Sequence, residues 1–84
     1  MYQAIRTHYL GATNTLPARI KASAPAGYLT VKWNHSLNID DNHRHAAEKF
    51  AEVKGWVGER YGALAGGALK DGDFVWVFHN DFAR

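Results

Sequence analysis

Hydrophobic and polar residues alternate in the first third of the chain. From Tyr2 to Leu10 the period is two, with Ile5, Thr7 and Tyr9 on one side and Ala4, Arg6 and His8 on the other, which predicts a strand. Gly11 to Pro17 interrupts it, because Gly, Asn and Pro break a ladder and Thr13 and Asn14 can bond local backbone. A second strand is expected over Ala18–Ser23, with Ile20 and Ala22 inward and Arg19 and Lys21 outward. A third is expected over Tyr28–Trp33, with Leu29, Val31 and Trp33 inward and Tyr28, Thr30 and Lys32 outward. Pro25 and Gly27 between them read as a hairpin turn.

The period then changes to that of a helix. Ile39, His43, Ala46, Ala47, Phe50 and Val53 form an apolar stripe, and Arg44, Glu48, Lys49 and Glu52 form the wet side. Asn38 or Asp40 can cap the start, and Gly55 can end it in the left-handed conformation. A short fourth strand is expected around Glu59 to Leu64. Gly66-Gly67 reads as a turn or bulge, and Lys70-Asp71-Gly72-Asp73 as a turn. Phe74 to His79, all β-branched or aromatic up to the histidine, is the strongest strand signal in the chain.

The order β-β-β-α-β-β predicts an α+β fold, an antiparallel five-stranded sheet with one helix packed on one face. At 84 residues the chain is expected to form a single domain, 1–84, without room for a deep cleft. The other sheet face must then be wet or meet a partner. Arg6, His8, Arg19, Lys21, Lys32 and Tyr28 are expected on it. The last strand leaves a choice between Val75 and Val77 facing the helix, or Phe74, Trp76 and Phe78 doing so. In the first case three aromatics would join the basic face, as in sheets that stack unpaired bases.

Charge sharpens the picture. Residues 1–39 contain Arg6, Arg19, Lys21 and Lys32 and no acid, while all eight acids lie beyond Ile39. The first half therefore favours an anionic partner, although four bases on strands also serve solubility. With no cysteine, disulfides and thiolate metal sites are excluded. His43 and His45 are two apart on a helix and cannot share a metal on one face, so no metal site is expected. His43 lies on the apolar stripe, where a buried, hydrogen-bonded imidazole is expected. No serine stands in a nucleophile elbow, and the pairs Asp40/Asp41 and Asp71/Asp73 sit in a cap and a turn, so neither an enzyme nor a cofactor is expected. No apolar run has the length of a membrane span and the N-terminus lacks a signal-peptide core, which points to the cytoplasm.

Three segments carry a resemblance: Ile5-Arg6-Thr7-His8-Tyr9-Leu10-Gly11-Ala12-Thr13-Asn14-Thr15 with Ala18-Arg19-Ile20-Lys21-Ala22; Asn42-His43-Arg44-His45-Ala46-Ala47-Glu48 with Gly55-Trp56; and Gly67 to Phe78. Together they resemble small proteins borne by phages, plasmids and integrated elements of proteobacteria, a set that includes type I anti-CRISPR proteins. The resemblance implies a mobile-element protein in a bacterial host cell. It further implies an inhibitor that binds the type I Cascade effector complex and blocks recognition of target DNA at the PAM or duplex. Because the effector surface that grips DNA is basic, the contacts expected for such an inhibitor are Asp40, Asp41, Glu48, Glu52, Asp71 and Asp73. The rival expectation is a small nucleic-acid-binding module of a mobile element that uses the basic sheet face directly. A homodimer acting as an adaptor is a third arrangement compatible with the sequence.

Overall fold

The computed structural model describes residues 4–58 and 61–78. Five strands and one helix follow in the expected order: β1 (Ile5–Leu10), β2 (Arg19–Ala24), β3 (Gly27–Lys32), α1 (Ile39–Lys54), β4 (Leu64–Ala68) and β5 (Phe74–Phe78). The strands form one antiparallel sheet in the order β3-β2-β1-β5-β4, so the architecture is α+β. β1 lies at the centre because the chain makes a meander outward to β3. It then crosses over through α1 to the far edge and returns as β5 against β1. A two-residue loop of Pro25 and Ala26 closes the β2–β3 hairpin, with Ala24 paired to Gly27.

The helix is defined at both ends by its own sequence. Asn38 caps the start, its side chain accepting from the Asp41 N–H at 2.7 Å, and Asp40 and Asp41 occupy the first turn near the positive end of the helix dipole. Gly55 stops it at φ 76°, with the Gly55 N–H on Glu52 O and the Trp56 N–H on Ala51 O, the paired bonds of a Schellman ending.

The core lies between helix and sheet. Ile5, Ile20, Ala22, Ala46, Ala47, Phe50, Ala51, Leu64, Trp76 and Phe78 are buried there. The choice left open for the last strand falls on the aromatics: Trp76 and Phe78 are buried beneath the helix and Phe74 stacks on His43, while Val75 and Val77 take the open face. Three aromatics therefore do not join the basic face.

Three further expectations are corrected. The buried stripe of α1 contains Asn42 and Ala51, whereas Ile39 and Val53 are exposed, because they fall in the terminal turns, beyond the part of the helix that the sheet covers. The fourth strand is Leu64–Ala68 and not the segment before it; Glu59 and Arg60 lie outside the described residues. Gly66-Gly67 is accordingly strand and not turn. A Cβ on Gly66 would stand 2.2 Å from the Trp76 ring, so glycine is what lets the indole lie flat on β4. Tyr2 and His79, expected at the ends of the first and last strands, also lie outside the described residues.

Candidate functional site

The register of β1, β2 and β3 arranges the open face in three cross-strand rows. Arg6, Ser23 and Tyr28 form one, His8, Lys21 and Thr30 the next, and Leu10, Arg19 and Lys32 the third. Arg6, Arg19, Lys21, Lys32 and Tyr28 thus share the face on which the alternation placed them. Their electrostatic states differ. Arg6 is compensated: its Nε donates to Asp73 Oδ2 at 2.8 Å and its Nη2 to Asp71 Oδ2 at 2.7 Å. Both carboxylates hold the guanidinium's proton more firmly than usual. Among the described residues Arg19 donates only to the carbonyl of Pro17, at 3.3 Å, and it stands directly opposite Lys32. The Lys21 ammonium lies 4.7 Å above the ring of Tyr28, itself 69% exposed, in a cation–π contact. The free basic cluster is therefore Arg19, Lys21 and Lys32 with Tyr28.

The six acids are divided among three places. Asp40 and Asp41 are exposed at the start of α1, and Glu48 and Glu52 lie one turn apart on its outer side. Those two glutamates rim an open cleft of about 420 Å³ that Trp56, Val57 and Phe78 also line. Asp71 and Asp73 lie in the β4–β5 turn and serve the fold. Asp73 is buried, accepts from Arg6, contacts His8 Nδ1 at 2.5 Å, and has its own N–H on Asp71 Oδ1 at 3.0 Å. Burial pushes the Asp73 carboxyl up, but the hydrogen bonds from His8 and Arg6 outweigh it and hold the group below its ordinary value. Arg44, expected on the wet side, donates to Leu64 O at 3.1 Å and lies 4.9 Å over the Trp76 ring.

A buried polar chain runs beneath the helix. Trp76 Nε1–H donates to Thr7 Oγ1 at 3.0 Å, and Thr7 Oγ1 lies 2.7 Å from His43 Nδ1. If Thr7 donates to Nδ1, its hydroxyl both accepts from Trp76 and donates to His43, and the proton of a neutral His43 is then on Nε2. Burial pushes His43 down from its ordinary value, against the pull of Asp73 and Asp40, so the neutral imidazole that this arrangement needs is the favoured form. The expected buried, hydrogen-bonded His43 is what the structure contains. Its partner Thr7 was not singled out from the sequence, although a threonine on the inward side of a strand is a signal for such a bond. Asn42 was missed as well. Its side chain accepts from the Asn34 N–H and donates to the carbonyls of Asn34, Leu37 and Asn38, tying the β3–α1 loop to the helix.

No group of three or more potential metal ligands occurs among the described residues, and no helix among them is long and apolar enough to cross a membrane. Compared with known proteins, the chain matches no family model, no curated protein and no solved structure.

Proposed function

We propose that this chain is a small, non-catalytic module of the bacterial cytoplasm that binds nucleic acid through the open face of its sheet. One observation carries the reading: Arg19 and Lys32 oppose each other directly across β2 and β3, Lys21 stands in the adjacent row, and neither strand contains an acid. Like charges directly opposite destabilise a sheet. A phosphate between them converts that repulsion into attraction. The test is a gel shift with labelled DNA at two salt concentrations. Three phosphate contacts imply a slope of roughly −2 to −3 in log affinity against log salt, shallower for a single strand than for a duplex, so binding should weaken about 20- to 40-fold between 50 and 200 mM. Arg19→Glu with Lys21→Glu should abolish the shift. No shift at low salt would rule the reading out.

A second reading rests on the acidic cleft. Glu48 and Glu52 beside Trp56 and the 56%-exposed Val57 offer a carboxylate rim around an apolar centre. This is the pattern a basic effector surface would accept, over roughly 800 Å² per partner. Under this reading the chain inhibits type I Cascade. It would leave DNA unshifted by itself, abolish the shift given by purified Cascade, and lose that effect in Glu48→Lys with Glu52→Lys. Asp71 and Asp73 are poor sites for such a test, because their loss would also release Arg6 and His8.

A further inference from the structure

Beside the polar chain, where the sheet ends near the start of α1, lies an open hollow of about 350 Å³ lined by Tyr9, Ala18, Trp33, His35, Ile39, His43 and Gly72. Tyr9 and Trp33 meet edge to face at 5.0 Å, and Tyr9 and Ile39 remain 46% and 60% exposed. Aromatic walls left this open to water stand ready for another flat ring. The hollow also has one fixed polar atom. Nε2 of His43 has no hydrogen-bond partner among the described residues, and no buried side-chain nitrogen or oxygen among them lacks one, so Nε2 keeps a small contact with solvent on a residue that lines the hollow and is 1% exposed. When Nδ1 accepts from Thr7, Nε2 of the neutral ring carries the proton and is a donor. Its direction is fixed by stacking on Phe74, ring centroids 4.3 Å apart, and by the Thr7 bond.

An imidazole donor on a residue that lines an aromatic hollow suits a planar heteroaromatic ring with acceptors on its edge. The basic cluster says which kind. Ala18 and Trp33, both lining the hollow at the same ladder end, are the chain neighbours of Arg19 and Lys32, and the Trp33 N–H bonds Ala18 O at 3.1 Å. Neighbouring strand residues point to opposite faces. A polynucleotide that rounds this end of the sheet would therefore lay phosphate on Arg19 and Lys32 and turn a base into the hollow.

We infer that the hollow between Tyr9, Trp33 and His43 receives one unpaired nucleobase, which makes the preferred ligand of the basic face a single strand and not a duplex. The inference rests on the nucleic-acid reading for its phosphate contacts, but the hollow itself can be tested without them.

The first measurement is an NMR titration of the isotope-labelled chain with an uncharged nucleoside, cytidine, at millimolar concentration. Shifts concentrated on the His43 ring, the Trp33 indole and Tyr9 are expected. Absence of shifts at those three residues would overturn the inference whatever the basic face does. The second compares a single-stranded oligonucleotide with an abasic strand of equal length. The base-bearing strand should bind about tenfold more tightly or better, as stacked bases do. Tyr9→Leu, with Trp33→Leu as a second variant, should erase that difference while leaving the salt-dependent binding of the abasic strand. Equal binding of both strands by the unmodified chain would overturn the nucleobase site yet leave the phosphate-binding face standing. Loss of all binding only in Arg19→Glu with Lys21→Glu would assign the phosphates as proposed.

Discussion

Thr7 carries a polar hydroxyl, yet it is fully buried beneath the helix. Its hydroxyl joins Trp76 to His43, and neither Trp76 Nε1 nor His43 Nδ1 has another hydrogen-bond partner among the described residues. Thr7→Val keeps the shape and strands two buried polar atoms, each worth about 1–3 kcal/mol. A loss of about 3 kcal/mol in urea unfolding is expected; a loss below about 1 kcal/mol would show that the chain is not structural. The same imidazole sets a pH dependence. His43 is held below its ordinary 6.5 when folded, so the unfolded chain binds the proton first as pH falls. The neutral-His43 contribution is complete above about 6.5. It is lost as pH drops from there through the lower folded value. Asp73, held below its ordinary 3.8, loses its own contribution only in stronger acid. Melting temperature should therefore decline between pH 7 and 5 before any Asp73 effect appears, and a flat profile across that range would contradict the assignment.

The helix shows how far local chemistry reaches. Asn38 and Gly55 mark its ends in the sequence, and the structure uses both. Asn38→Ala should cost about 1 kcal/mol, read from denaturant unfolding. The fourth strand shows the opposite. Leu64-Ala65-Gly66-Gly67-Ala68 has almost no intrinsic strand preference, and two adjacent glycines suggest a turn. What makes it a strand is β5 beside it and the indole of Trp76, which fills the space where a Gly66 side chain would lie. Gly66→Ala is expected to destabilise by about 3 kcal/mol through overpacking. Gly67→Ala, with nothing within 4 Å of its added methyl, should be nearly neutral in the same assay.

At the scale of the whole molecule, charge is sorted by layer and by pairing. Arg6 and His8 sit on the open face with the others but are answered by Asp71 and Asp73, some 65 residues further along the chain. Asp71→Asn should leave Arg6 bound to Asp73 alone and raise affinity for an anionic ligand about two- to fivefold at low salt, a modest gain typical of an exposed charge. Unchanged DNA binding in that variant would place Arg6 outside the binding surface. What the sequence by itself determined is the part governed by period and by local end signals. Three alternating strands, one capped helix, the order of the elements, the sharing of one face by Arg6, Arg19, Lys21, Tyr28 and Lys32, and the burial of His43 all follow from spacing along one stretch of chain. Only the tertiary structure decided which bases are free, that β4 is a strand, that Phe74, Trp76 and Phe78 turn inward, and that Tyr9, Trp33 and His43 meet in one hollow. Each of those depends on residues far apart in sequence being brought within a few ångströms, and no local pattern encodes the partner waiting on the other side.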